Sequence, residues 1–280
     1  MLKRVAFLGP KGTYAEQAAI ALSELEGIRD PELIPCLGLR AVVECVAGKN
    51  SDAAVVPIEN SVEGGVTASL DALWSHPELC IKRALVLPIR HALISSGKLA
   101  EISEVLSHPQ ALAQCSEWLR KNLPNALQLP TSSTADAVRM VSGSHFRAAI
   151  ASRNKSNLKG LKELAFPIND VAGNCTRFVL LEHGTKPLKG EVCSIAFSLH
   201  SNAPGALLDA LSCIAQSGLN MSRIESRPSK RELGEYIFFV DIELQQETTE
   251  IQKNLSSLLK PFCENIIYFG SYRNSKVNLD

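Results

Sequence analysis

No stretch of the 280-residue sequence approaches the length of a membrane span; a long apolar segment at 81–96 is broken by Pro88. No basic excess is present, because Lys plus Arg and Asp plus Glu both number 29. That argues against a nucleic-acid binder and leaves any anionic ligand to local donors. The eight cysteines, at 36, 45, 80, 115, 175, 193, 213 and 263, form no C-x-x-C pair, and the six histidines have no metal-ligand spacing. Only "VAFL" separates the basic start from Gly9 and Pro10, too short for a signal-peptide core. Reduced, mostly buried thiols in a cytoplasm are therefore expected, not a disulfide framework or a zinc site. "GPKGT" lacks the Gly-Lys-Ser/Thr ending of a phosphate loop, and no G-x-S-x-G occurs.

What is there alternates. "RVAFLG" precedes the helical pattern "TYAEQAAIALSEL", "ELIPC" precedes "GLRAVVECVAG", and "DAAVVPIEN" precedes "VTASLDALW". Further along, "EVLSHP" precedes "QALAQCSEWLRKN", "LQLPTSS" precedes "TADAVRMVSG", and "AAIAS" precedes a basic helical segment. This strand–helix rhythm predicts a layered α/β fold with a mainly parallel sheet. The stretch 81–96 suits a strand that crosses from one lobe to another. The polar segment 182–191 reads as a linker. Beyond it, "CSIAFSLHS", "GALLDALSCIAQSG", "MSRIESRPS", "EYIFFVDIEL", "TEIQKNLSSLLKPFC" and "NIIYFGSY" read β-α-β-β-α-β, the ferredoxin-like arrangement.

Three helix starts carry capping signals: Thr13 before Glu16, Ser107 before Gln110 with Pro109 between, and Ser133 before Asp136. Each is satisfied by an ordinary cap; on one edge of a parallel sheet they can also converge on an anion-binding cleft. "PIENSVEGG" places Glu59, Asn60 and Ser61 at a strand end, where turn chemistry accounts for all but the Glu. His108 is the one histidine expected near such a cleft. "NCTRFVLL" (174–181) puts Thr176 and Arg177 at the mouth of a buried strand. An Arg there needs a negative partner, from the protein or from a ligand.

Taken in order, "GPKGTYAEQAA", "PIENSVEGGV", "SHPQALAQC", "STADAV", "AAIAS" and "NCTRFVLL" resemble the motifs of the prephenate dehydratase family. "GALLDAL" (205–211) and "ESRP" (225–228) resemble the phenylalanine-binding motifs of its ACT regulatory domain. The likeness runs from Phe7 to about Tyr272, and the monofunctional form is expected because no chorismate mutase segment is read before the first strand. The resemblance implies a two-lobed catalytic domain like a type II periplasmic binding protein, at about 1–183. Its first lobe is expected at 1–80 and 160–183 and its second at 81–159, with an ACT domain at 192–273.

It implies loss of CO2 and water from prephenate to give phenylpyruvate, with no metal or organic cofactor. Thr176 would meet the leaving group, and Arg177 would meet a substrate carboxylate or fix the site's charge. Glu59 would be an alternative acid if apolar surroundings kept it protonated. Asn60, Ser61, Ser107, Gln114 and Phe178 would contact the substrate, with Thr13 and Ser133 at carboxylate-binding helix starts. Position 114 reads as helix interior and could equally face solvent. Gly205, Ala206, Leu207, Leu208, Glu225, Ser226, Arg227 and Pro228 would bind feedback phenylalanine. A homodimer through ACT domains, assembled to a tetramer, is expected. Arogenate as substrate, or a non-catalytic amino-acid sensor, are the alternatives.

Overall fold

The computed structural model describes residues 3–153, 160–244 and 255–277. The first α/β units give β1 (Arg4–Leu8), α1 (Tyr14–Leu25), β2 (Glu32–Cys36), α2 (Leu39–Ala47), β3 (Ala53–Asn60), the two-residue β4 (Gly64–Gly65), α3 (Thr67–Trp74) and β5 (Leu79–Pro88). A second group follows: β6 (His91–Ser95), β7 (Glu104–Ser107), α4 (Pro109–Ala113), α5 (Ser116–Asn122), β8 (Leu127–Pro130), α6 (Thr134–Val141), β9 (Arg147–Ser152) and β10 (Lys162–Ala165). The chain then returns through β11 (Cys175–His183). The C-terminal part comprises β12 (Val192–Leu199), α7 (Ala206–Gln216), β13 (Asn220–Pro228), β14 (Tyr236–Glu243), helical residues 255–259 and β15 (Cys263–Lys276). The rest of the helix expected at "TEIQKNLSSLLKPFC" lies outside the described residues.

Two sheets result. A ten-stranded sheet runs β13-β14-β12-β15-β5-β11-β3-β1-β2, with β4 paired to β3, and a five-stranded one runs β10-β6-β9-β7-β8. Both are mixed. β1, β2 and β3 are parallel, but β11 lies antiparallel to both β3 and β5. Strand–helix alternation predicts only the parallel units, and β11 arrives from the other sheet with no helix to turn it. The apolar stretch 81–96 does pass between sheets, as β5 and β6. β5 is a central strand of the large sheet and β10 belongs to the small one, so the chain crosses between the two sheets after Pro88 and after Ala165.

The large sheet buries both faces. α1 covers one, packing Ala18 and Leu22 on Val5, Phe7, Leu85, Phe178 and Leu180. On the other, α2 and α3 share a core with Val179, Leu181 and, from the C-terminal part, Ala196, Phe239, Phe269 and Tyr272. A separate core of Cys193, Ile195, Phe197, Ile214, Val240 and Leu259 lies on the helical side of the C-terminal strands. The expected linker is clamped rather than free: Leu188 bridges to Ser271, and a Cβ at Gly190 would lie 2.2 Å from the Tyr272 nitrogen. β15 also outruns its expected end, because its last residues, Arg273 to Lys276, pair in parallel with β5. Among the described residues no helix is long and apolar enough to cross a membrane, and all eight cysteines are free.

Candidate active site

In the β3–β11 ladder Thr176 lies opposite Asn60 and Arg177 opposite Glu59. Side chains alternate across a sheet, so the two pairs leave on opposite faces. Thr176 and Asn60 meet each other on one face, where Asn60 bonds to Asn174 and Asn174 in turn reaches Gln114; Glu59 and Arg177 reach the C-terminal strands. A one-residue shift between Arg177 and Phe178 leaves Ile58 of β3 without a partner, a bulge at the strand mouth.

The first face carries a buried amide network whose directions can be worked out. Asn60 Oδ1 accepts from the backbone N–H of Val62 and Glu63, both at 3.0 Å. Its Nδ2 must then face Thr176 Oγ1 at 2.9 Å, Asn174 Oδ1 at 2.9 Å and the Cys175 carbonyl at 3.1 Å. With Asn174 Oδ1 engaged, Asn174 Nδ2 donates to Gln114 Oε1 at 2.9 Å. Gln114 Oε1 is therefore an acceptor, so the His91 nitrogen 3.1 Å away, Nε2, carries the proton. Gln114 Nε2 donates to Glu63 Oε1 at 3.2 Å, tying the small sheet's lobe to the large one. Thr176 is 8% exposed and its oxygen accepts from Asn60; among the described residues no hydrogen bond is donated by its hydroxyl. That hydrogen is not committed to a partner within the described residues.

Burial lowers the His91 pKa below the ordinary imidazole range, and the Gln114 hydrogen bond offsets only part of this. The unfolded chain takes up a proton below about pH 6.5 while the folded ring resists it. Stability is thus full above that pH and declines as pH falls, by up to about 1.4 kcal/mol per unit for one proton. His108 is shifted in the same direction by burial, so the comparison has to isolate His91. The melting temperature is expected to fall between about pH 7.5 and about pH 5.5, and to fall less steeply in His91→Phe.

The other expected residues divide. Thr13 caps α1, accepting from the Glu16 amide at 3.4 Å, while Glu16 takes the Gly12 N–H at 2.5 Å. The same helix start closes against the small sheet's lobe: the Tyr14 hydroxyl donates to the Arg90 carbonyl at 2.6 Å and Gln17 Nε2 to Ser152 at 3.2 Å. Ser133 caps α6 through the Asp136 amide at 3.1 Å. Ser107 is no cap: fully buried, it gives its hydroxyl to the Ile150 carbonyl at 2.7 Å, and His108 Nδ1 accepts from Gln110 instead. Gln114 is not in a helix interior but at the break between α4 and α5, and it is buried. Phe178 belongs to the core under α1 and has almost no surface to offer a substrate. Ser61 accepts from the Cys175 amide at 2.9 Å and lines the far-face cavity with Glu59 and Arg177.

Arg177 has its negative partners within the protein. Its Nη2 lies 2.6 Å from Glu59 Oε2 and 2.6 Å from Asp241 Oδ2, so its charge is balanced by carboxylates of the protein. Glu59 is ion-paired and points away from Thr176, so the apolar surroundings that an acid role requires are lacking. In the C-terminal part Gly205 takes φ +88 at the start of α7, a left-handed conformation that favours glycine, and Ala206, Leu207 and Leu208 form the first turn. Glu225 presses its carboxylate where a Cβ on Gly65 would be, 2.7 Å away, and Arg227 grips Asp71 of α3 at 3.0 and 3.3 Å. Ser226 and Pro228 are exposed. Sequence reasoning missed Asn174 and His91, which join the two lobes.

The model of a family described as prephenate dehydratase matches residues 5–186. The chain is 37% identical to the bifunctional chorismate mutase/prephenate dehydratase of Aquifex aeolicus, over 96% of this chain and 73% of that protein. It is 39% identical to a prephenate dehydratase of Methanocaldococcus jannaschii, over 89% of this chain and 92% of that protein. The structure of a prephenate dehydratase from Arthrobacter aurescens in complex with L-Phe superposes with a TM-score of 0.86 at 36% identity, covering 96% of this chain and 90% of that one.

Proposed function

The chain belongs to the prephenate dehydratase family, and from that premise we propose that the Thr176 hydroxyl assists the departure of the ring hydroxyl of prephenate. The enzyme is a hydro-lyase of phenylalanine biosynthesis that converts prephenate to phenylpyruvate, CO2 and water. The electrons of the breaking bond to the ring carboxylate flow into the ring. The carbon–oxygen bond to the ring hydroxyl breaks at the same time, and its oxygen takes up a proton to leave as water. Aromatisation drives the reaction, so the protein has to hold two carboxylates and help a poor leaving group depart. The observation that carries the assignment is the uncommitted hydrogen of Thr176, freed because Asn60 donates to its oxygen. A threonine hydroxyl is too weak an acid to be the proton source alone, so it acts as a hydrogen-bond donor and relay. Asn60, Asn174 and Gln114 position it and line the cleft, and the starts of α1 and α6, capped by Thr13 and Ser133, supply backbone donors for carboxylates. Arg177 and Glu59 act from the far face, by holding the strand.

The two-sheet arrangement supports a two-lobed cleft of the type II periplasmic-binding-protein kind. The order β13-β14-β12-β15 supports a ferredoxin-like ACT domain, with phenylalanine as feedback inhibitor at α7 and β13. β13 is an edge strand with exposed Ile224, and Leu208 of α7 is exposed as well; both favour pairing with a second chain, as a homodimer and then a tetramer. Eight free thiols suit a cytoplasmic setting.

Purified protein given prephenate is expected to form phenylpyruvate at a rate unaffected by a chelator and lowered by phenylalanine. Turnover of arogenate with none of prephenate would move the assignment to the sister reaction. Silence on both, with phenylalanine still bound, would leave a sensor.

A further inference from the structure

We infer that the charged cluster Arg177, Asp241, Glu59 and Arg223 positions Thr176 for catalysis and is the path by which the state of β13 reaches it. The second half of this rests on the reading of β13 and α7 as the phenylalanine site. The cluster joins four strands, β3, β11, β13 and β14. Asp241 of β14, 2% exposed, takes Arg177 Nη2 at 2.6 Å and Arg223 Nη1 at 3.5 Å on one oxygen. Its other oxygen accepts from Ser194 Oγ at 2.5 Å, which lies 2.6 Å from the Tyr272 hydroxyl. Arg223 of β13 also lies 3.9 Å from Glu59. Two cations and two anions therefore balance; Arg177, Arg223 and Asp241 are nine-tenths or more buried while the Glu59 carboxylate stays 38% exposed, so loss of Asp241 leaves buried positive charge uncompensated.

Each strand-mouth member is the chain neighbour of a cleft residue: Arg177 of Thr176, and Glu59 of Asn60. A displacement of either on the far face turns the strand beneath the near one, and the bulge at Ile58 gives the ladder a point at which to yield. Two residues past Arg223, Glu225 presses on Gly65, and Arg227 holds Asp71. β13 thus touches the catalytic lobe at both ends of the segment that follows Asn60. The cluster is also incompletely satisfied, since Arg177 Nε and Arg223 Nη2 are buried without a hydrogen-bond partner. An arrangement of β13 that engages these donors would compete with this one, which is the two-state element that coupling between sites requires.

The test is Asp241→Asn, which removes the charge and keeps an acceptor for Ser194. Activity is measured with and without phenylalanine, and phenylalanine binding by calorimetry. Without effector, kcat per folded molecule, with the folded fraction taken from a melt, is expected to fall about tenfold with KM within about twofold, as for loss of an interaction made in the transition state. Phenylalanine is expected to bind within about threefold of its wild-type affinity but to inhibit at least about tenfold less. Arg223→Gln, which leaves Asp241 paired with Arg177, is expected to uncouple in the same way and serves if the first variant fails to fold. Unchanged kcat together with wild-type inhibition in either folded variant would overturn the inference. Wild-type protein that phenylalanine does not inhibit would instead overturn the feedback reading and the coupling half with it, leaving positioning to be judged on kcat.

Discussion

Thr176→Val is expected to lower kcat on prephenate about a hundred- to a thousandfold, with KM within a few-fold and the melting temperature almost unmoved. The figure is that for losing one preorganised donor to charge developing in a transition state, about 2.7–4 kcal/mol. Stability is spared for a specific reason. Asn60 Nδ2 has two hydrogens and three neighbouring oxygens, so loss of Thr176 Oγ1 leaves Asn174 Oδ1 and the Cys175 carbonyl to occupy both. Valine has nearly the same shape, suits a strand, and brings no polar atom into a site that is 8% exposed. Thr176→Ser keeps the hydroxyl and is expected to retain most of the activity. Steady-state phenylpyruvate formation checks both variants, and a melt separates chemistry from folding.

Asn60→Asp is expected to lose activity to a similar extent and to lose stability as well. The change is nearly isosteric but removes both donors. A carboxylate in that place meets Asn174 Oδ1 and the Cys175 carbonyl with no hydrogen between, and it takes the Thr176 proton for itself. The hydrogen meant for the leaving group then points into the protein. A buried donor or acceptor left without its partner costs about 1–3 kcal/mol, more when charged. Urea midpoints should fall accordingly, while kcat should fall about as far as in Thr176→Val.

The local signals in the sequence were legible where one residue decides them. Thr13 and Ser133 cap their helices because a Ser or Thr three residues ahead of a carboxylate or side-chain amide is a self-contained instruction. Ser107 carries the same signal and does otherwise, because β9 runs beside it and the Ile150 carbonyl is the nearer partner. The two faces of the strand mouth were also within reach. Period-2 alternation sets Glu59 opposite to Asn60 and Arg177 opposite to Thr176, so the four could not all meet one substrate, while the pairing of Glu59 with Arg177 on one face comes from the β3–β11 register. What alternation could not reveal is the cover on the far face, since Asp241 comes 64 residues after Arg177 in the chain. His91 sits in an apolar stretch and Asn174 one residue before the strand, and neither has a local pattern to mark it. The end of β15 was hidden because "RNSK" has no apolar rhythm; only pairing with β5 makes it a strand.

The central claim is that Asn60 and Thr176 act as one unit to present a single hydrogen. It is tested most directly by a double-mutant cycle on kcat with Asn60→Asp, Thr176→Val and the pair. The account predicts strong non-additivity: both changes remove the same hydrogen, so the double variant should be hardly slower than the slower single one. Additive losses, with the double variant slowed by the product of the two single effects, would mean that the residues act separately and would contradict it.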